Sequence, residues 1–360
     1  MRDQTPTTPG TELDDRHVVS YHDLMTPAEL RAELAPQPPQ IDTVVGGRRQ
    51  LRDALAGDDD RMVVVVGPCS IHDPAAALEY AERLRALRDE LDEHLIVVMR
   101  TYFEKPRTSV GWKGLIYDPH LDGSSEAAVG LRTARQVLLD VTSLGLPCAV
   151  EVLDTVTPQY YADLVSWAAI GARTVESQVH RQLASGLSMP IGFKNGTDGR
   201  LDGAVNAVAA ALSEHAFFGA DPTGRAAVVR TGGNPDVHIV LRGGVDGPNH
   251  DPATVAAAAE RTRAVTSHRR PVMVDCSHEN SGKDHRRQPA VVEDVLAQWK
   301  GSDHGLLGIM LESNLGEGRQ DWVPGGDLEH GVSITDACIA WDETDRLLRA
   351  CADHVERARG

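Results

Sequence analysis

The feature that most limits the fold is an alternation running from residue 62 to residue 313. Short apolar, β-branched runs take turns with longer stretches of helical periodicity. The runs are MVVVVG (62–67), LIVVMR (95–100), PCAVEV (147–152), AAIGAR (168–173), PIGFKN (190–195), HIVLRG (238–243), PVMVDCSH (271–278) and LLGIMLES (306–313). Between them, residues 74–91, 127–145, 203–216 and 253–267 carry apolar side chains at helical spacing. Strands that are apolar throughout belong to parallel sheets covered on both faces. Eight of them separated by crossover helices, in about 280 residues, predict an α/β fold of the closed (β/α)8 TIM-barrel kind rather than an open sheet.

The regions outside this rhythm set the expected domain plan. Residues 1–15 are polar and rich in Thr, Pro and Asp, and read as a mobile tail. Residues 16–60 read as an N-terminal extension in which DLMTPAELRAELAP (23–36) forms a short capped helix with a Pro-rich exit, wrapping the body or a neighbouring subunit. Residues 61–360 then form the barrel. Two connections are longer than a barrel needs: a polar one at 101–126, and FFGADPTGRAAVVRTGG (217–233), an extra hairpin between strands five and six.

Charge restricts the partners. With 53 acidic against 36 basic side chains the formal net charge is −17, which argues against nucleic acid or an anionic membrane surface as partner. No window approaches the roughly 18 consecutive apolar residues of a membrane span, and the N-terminus has no leader-like pattern. The five cysteines, Cys69, Cys148, Cys276, Cys338 and Cys351, form no CxxC pair and read as reduced thiols, so a cytoplasmic protein is expected. Any anion it binds must be met by a local cluster of cations.

Such a cluster stands at the strand ends, where barrels of this type build their reactive face. Cys69 follows strand one; Arg100, Glu151, Arg173, Lys194, Arg242, His278 and Glu312 follow or end strands two to eight. The cations Arg100, Arg173, Lys194 and Arg242, with Lys105 and Arg107 in FEKPRTSVGWKG, suit phosphate and carboxylate oxygens. Each could instead pair with an acidic side chain; six together without an anionic ligand would be costly to bury. Cys69, His278, Glu312 and Asp336 form a second set, able to hold one divalent ion such as Mn, Fe, Co or Zn. Taken singly, Cys69 reads as a small buried apolar residue and His278 as a satisfied core histidine. Barrel closure, however, makes the ends of strands one, seven and eight neighbours. Cys276 falls within a strand, while Cys148, Cys338 and Cys351 read as core or helix residues.

The motifs GPCSIHD (67–73), RTYFEKPRTSVGWKGLIYDP (100–119), GARTVESQVHRQLASGLSMPIGFKNGTDG (171–199), LRGG (241–244), VDCSHENSGKD (274–284), ESNLGEGRQ (312–320) and GVSITDACIAW (331–341) resemble those of the type I 3-deoxy-D-arabino-heptulosonate 7-phosphate (DAHP) synthases. The resemblance spans roughly residues 16–355 and is nearest the feedback-regulated, tyrosine-sensitive type. It implies a metal-dependent, aldol-like condensation of phosphoenolpyruvate with erythrose 4-phosphate, the first step of the shikimate pathway. It implies Cys69, His278, Glu312 and Asp336 as metal ligands, and Arg100, Lys105, Arg173, Lys194 and Arg242 around phosphoenolpyruvate. Arg107 and Thr108 would grip the erythrose 4-phosphate phosphate, with Asp336 near its hydroxyls. Lys105 would be the proton donor, and Glu151 or His278 would handle the attacking water.

The same resemblance implies an aromatic amino acid effector and a homodimer or homotetramer. The effector pocket would involve Ser188 and Gly219, where Gly leaves room for a phenol hydroxyl and so favours tyrosine; phenylalanine or insensitivity are the alternatives, and Gly219 could simply permit a turn. Three rival activities are a synthase using arabinose 5-phosphate, a Schiff-base aldolase built on Lys194, and a non-catalytic sugar-phosphate or amino-acid sensor.

Overall fold

In the computed structural model, which describes residues 14–107, 111–266, 270–301 and 304–359, all eight apolar runs are strands. In chain order they are β1 (Met62–Gly67), β2 (Leu95–Arg100), β3 (Cys148–Glu151), β4 (Trp167–Ile170), β5 (Ile191–Lys194), β8 (Val237–Leu241), β9 (Val272–Asp275) and β10 (Leu306–Glu312). β6 (His215–Ala220) and β7 (Ala226–Thr231) form the antiparallel hairpin inserted before β8, starting two residues earlier than its sequence pattern suggests. The eight strands close into a parallel barrel in the order β1-β10-β9-β8-β5-β4-β3-β2.

Strand residues split between two apolar layers. Val63, Val65, Val98, Trp167, Met273 and Met310 fill the barrel interior. Their neighbours Val64, Val66 and Val97 face outward to the helices. Residue 308 must be glycine, because β10 runs so close to β1 there that a Cβ would lie 1.8 Å from the Val63 carbonyl oxygen, at φ +154°.

The helices are α1 (Pro27–Glu33), α2 (Pro38–Ala56), α3 (Pro74–Leu91), α4 (Ala127–Ser143), α5 (Pro158–Tyr161), α6 (Gln178–Ala184), α7 (Asp202–Ala211), α8 (Pro252–Thr266), α9 (Gln288–Gln298) and α10 (Trp341–Arg359). α1 is the expected capped helix. Thr26 Oγ1 accepts from the Glu29 amide at 3.2 Å, and the Glu29 carboxylate accepts from the Thr26 amide at 2.7 Å, a reciprocal capping box.

The Pro-rich exit expected after it is instead a helix start. Pro38 and Pro39 occupy the first turn of α2, where an amide has no helical partner to lose. α2 then closes the lower end of the barrel, its Leu51, Ala54 and Leu55 packing with the interior layer. The third helical stretch also stops early, at Ala211, because residues from His215 onward pair in the hairpin. Most of the proposed tail, residues 1–13, lies outside the described residues. Among the described residues no helix is long and apolar enough to cross a membrane.

Candidate active site

Closure of the barrel sets Gly67 directly beside Glu312, so the turn after β1 and the end of β10 share one corner of the mouth. There Cys69 Sγ, a Glu312 carboxylate oxygen and an Asp336 carboxylate oxygen lie within 4.8 Å of one another. Cys69 Sγ is 3.4 Å from Asp336 Oδ2, although the two residues are 267 apart in sequence. Lys105 Nζ donates to Cys69 Sγ at 3.0 Å and to Asp336 Oδ2 at 3.3 Å, so a cationic group already sits among these donors. Burial, with Glu312 beside it, pushes the Cys69 thiol well up despite Lys105. Lys105 holds Asp336 well below the usual carboxylate range against the effect of burial. One soft sulfur and two hard carboxylate donors gathered this tightly fit a divalent cation, which would take the Cys69 sulfur as its thiolate.

His278 stands next to this group rather than inside it. Its Nε2 is 4.0 Å from Glu312 Oε1, while Nδ1 is 2.9 Å from Asp275 Oδ2. Its backbone is in the left-handed region at φ 51°, uncommon for a residue with a side chain. Asp275 is fully buried, and the same Oδ2 also pairs with Lys194 Nζ at 2.9 Å. Burial alone would raise the Asp275 carboxyl; His278 and Lys194 overcome it and hold the group well down. Sequence reasoning missed Asp275. The signal was available, since it is the one polar residue in the apolar run VMVD.

The cations divide by partner. Arg100 is 1% exposed, pairs with Glu312 Oε1 at 3.1 Å and lies over the Tyr102 ring at 4.0 Å. It sits beneath the mouth and does not line the cavity there, which measures about 380 Å³. Arg242 Nη2 donates to Glu279 at 2.7 Å, but its Nη1 is buried without a partner. Arg107 and Arg173 both line the cavity, and neither makes an ion pair with a described residue. Two guanidinium groups at the rim with no carboxylate partner among the described residues, and a buried guanidinium nitrogen inside it, suit the oxygens of an anionic ligand.

Lys194, Glu151, His278, Glu312 and Asp336 also line this cavity, together with Thr197, Lys283 and Arg319, which sequence reasoning passed over although all three fall inside quoted motifs. Glu151 ends β3, and Gly171 leaves it room: a Cβ there would lie 2.2 Å from Glu151 Oε1. Thr108 lies outside the described residues.

Comparison with known proteins assigns the chain to a family. The sequence matches the DAHP synthetase I family over residues 34–349. The chain belongs to that family. It is 52% identical over 338 residues to the Tyr-sensitive phospho-2-dehydro-3-deoxyheptonate aldolase of Escherichia coli K12, covering 94% of each chain. It is 50% identical over 347 residues to the Phe-sensitive enzyme of the same organism, covering 96% of this chain and 99% of that one. The solved phospho-2-dehydro-3-deoxyheptonate aldolase of Francisella tularensis SCHU S4 superposes with a TM-score of 0.92 at 45% identity, covering 95% of this chain and 99% of that one. The chain is thus a DAHP synthase by family, as its motifs indicate, and it resembles the tyrosine-sensitive type.

Two rival expectations for this family member can be judged on geometry. Lys194 is 3% exposed and ion-paired, and Asp275 keeps its ammonium charged against burial, so it is poorly placed to serve as a Schiff-base nucleophile. Gly219 does not simply permit a turn: it lies within β6, opposite Ala227, and a Cβ there would come 2.9 Å from Val229 Cγ2. The hairpin turn is made further on, around Gly224 at φ +79°. Ser188 is exposed on the connection between α6 and β5.

Proposed function

We propose that this chain condenses phosphoenolpyruvate with erythrose 4-phosphate to give DAHP and inorganic phosphate, at the head of the shikimate pathway. The observation that carries it is the meeting, at one 380 Å³ cavity, of the Cys69–Glu312–Asp336 donor group, whose two carboxylates line it, with Arg107 and Arg173, which have no carboxylate partner among the described residues. A divalent ion held by Cys69, Glu312 and Asp336, with His278 completing the set, would supply Lewis acidity at the aldehyde.

The chain's own residues do the rest. Arg173, Lys194 and Arg242 bind the phosphate and carboxylate of phosphoenolpyruvate, and Arg107 with Thr108 binds the phosphate of the aldose. Arg100 supports this arrangement from below by fixing Glu312. The C3 methylene of phosphoenolpyruvate attacks the C1 aldehyde, forming the carbon–carbon bond, and Lys105 Nζ gives its proton to the aldehyde oxygen. Positive character at C2 is met by water, whose proton passes to the Glu151 carboxylate or to His278. Phosphate then leaves by cleavage of the C2–O bond. Arginines fixed in place before the reaction lower its barrier because they need not reorganise as charge moves.

The hairpin, α6 and the segment before α1 form the regulatory face, where an aromatic amino acid binds near Ser188 and Gly219. Tyrosine is favoured, since no side chain at 219 competes with its hydroxyl. The barrel (61–360) is the catalytic unit and residues 16–60 its regulatory and oligomer-forming extension, in a homodimer or homotetramer. The five cysteines are free and buried, which suits a reducing cytoplasm. Phosphate release from phosphoenolpyruvate tests the reading directly: erythrose 4-phosphate should support it, arabinose 5-phosphate should not, and a chelator should stop it. Turnover with the five-carbon aldose, or turnover indifferent to chelator, would sink it.

A further inference from the structure

The structure assigns a positioning residue that the reaction has not so far used: Glu104, whose carboxyl clamps the Lys105–Arg107 loop to α5, while α5 is itself held by the hairpin and the N-terminal segment. Glu104 is 2% exposed. Its Oε2 accepts from Thr157 Oγ1 at 3.0 Å and from Tyr161 OH at 3.2 Å, both on or at the start of α5. Its Oε1 lies 3.2 Å from Tyr117 OH, which lies 3.0 Å from Asp154 Oδ2. The other two polar side chains of α5 point away from the mouth. Gln159 Nε2 donates to the Ala220 carbonyl at the end of β6 at 2.7 Å, and Tyr160 OH donates to the Met25 carbonyl just ahead of α1 at 2.8 Å. One helical turn thus joins the substrate loop to both regulatory elements.

The proton count makes this clamp sensitive to pH. Tyr117 carries one hydroxyl proton and stands between two carboxyls, so it can donate to only one of them. When it donates to Asp154, Glu104 can bond the phenol oxygen only by bringing a proton of its own. The neutral acid completes the chain, with Thr157 and Tyr161 donating to its second oxygen. Ionised, it leaves two carboxylates facing a single proton in a buried place.

Three ionisable groups face Glu104: Tyr117 from the 111–126 connection, Asp154 from the loop after β3, and Tyr161 from α5. Burial first, then the Asp154 charge, pushes the Glu104 carboxyl up to about 7 against the hydrogen bonds from Thr157, Tyr117 and Tyr161. Both phenols are themselves pushed up, chiefly by burial, and stay protonated. Around neutrality, then, loss of the Glu104 proton loosens the loop that carries Arg107. This consequence rests on the proposed role of that loop in gripping the aldose phosphate.

The test uses the full chain with its divalent ion, measuring kcat and both KM values from about pH 6 to about pH 9. In the wild type, KM for erythrose 4-phosphate should rise roughly fivefold across that range, with an inflection near 7, while KM for phosphoenolpyruvate moves little. Glu104→Gln keeps the neutral pattern, since its amide donates to Tyr117 and its oxygen accepts from Thr157 and Tyr161. It should hold KM at the acid-side value throughout. A Glu104→Gln enzyme that retains the wild-type inflection, or in which both KM values move together, overturns the assignment.

Should that variant fold poorly, Thr157→Val removes one α5 donor and should raise the aldose-phosphate KM roughly threefold at every pH; an unchanged KM also overturns it. Amide hydrogen exchange over residues 104–107, corrected for intrinsic rate, gives a readout independent of turnover. Protection should fall above neutrality in the wild type and persist in Glu104→Gln. If protection behaves this way but no phosphate is released, it is the functional reading that fails and not the clamp; if protection does not change with pH, the clamp fails.

Discussion

The mouth of the barrel and the hairpin on its flank both carry proposed ligand sites, and they are built in opposite ways. At the mouth, Arg100, Lys194, Asp275 and Glu312 are each at most 3% exposed, and every one is ion-paired on a strand end locked between two parallel neighbours. In the hairpin no strand residue is fully buried, and Phe218 and Val228 are 89% and 61% exposed. It is moored by single contacts: Gln159 to Ala220, Ser185 Oγ to Thr231 Oγ1 at 2.6 Å, and the Ala28 amide to the Pro222 carbonyl at 2.9 Å. Chemistry needs groups that do not move as charge develops, whereas sensing needs an element whose position a small ligand can change.

Substitutions at each place should sharpen or break that contrast. The largest effect is expected for Cys69→Ala, which should lower kcat by roughly a thousandfold or more and reduce bound metal while the fold persists. Full turnover with metal retained would remove Cys69 from the donor group. Next comes Arg100→Met, which strands a buried Glu312 and should cost about 3–5 kcal/mol in urea unfolding. Arg225→Met in the hairpin, which loses only an exposed pair with Asp221, should leave the same midpoint where it was. Equal losses at the two positions would erase the distinction between rigid mouth and loosely moored flank.

Smaller effects follow. Arg173→Ala should raise KM for phosphoenolpyruvate roughly tenfold or more, with a lesser fall in kcat, because it removes ground-state binding of an anion. Gly219→Ser should shift the ratio of inhibition by tyrosine and phenylalanine toward phenylalanine by roughly tenfold; an unmoved ratio would take Gly219 out of the effector pocket.

A further effect concerns stability. The ordinary Glu104 value is 4.5 and the folded value is about 7. Below 4.5 both folded and unfolded chains hold the proton; between 4.5 and 7 only the folded chain does, so stability falls as pH rises through that window and levels off above it. Glu104→Gln lacks this loss. The melting temperature of the wild type relative to that variant should therefore decline from about pH 4.5 to about pH 7 and then stay level, and a flat difference would contradict the raised value.

Much of this architecture could be read from the chain alone. Apolar runs such as MVVVVG and LIVVMR declare strands because they are short, rich in β-branched residues and apolar on both faces, as strands of a parallel sheet covered on both sides must be. The mouth residues could be read because chain direction dictates which end of each parallel strand faces up, so Cys69, Glu312 and His278 had to share a rim. Pro38–Pro39 misled because the same dipeptide ends one helix and begins another, and only the packing of α2 under the barrel selects between them. Glu104 goes unnoticed because nothing in its local sequence is unusual, whereas Asp275 stands out as the one polar residue of VMVD; each acquires its role only from partners on other elements, 53 residues away for Thr157 and 81 for Lys194.

Local periodicity, which depends only on neighbours a few residues apart, was therefore enough to settle the number of strands, their direction and the kinds of groups at the rim. Which of those groups touch was left to barrel closure and register, because distances between segments far apart in the chain exist only once the strands have met. The tertiary structure alone determined that Lys105 stands among Cys69, Glu312 and Asp336, that Arg173 lines the cavity without an ion-pair partner among the described residues, and that Glu104 ties the 105–107 segment to α5.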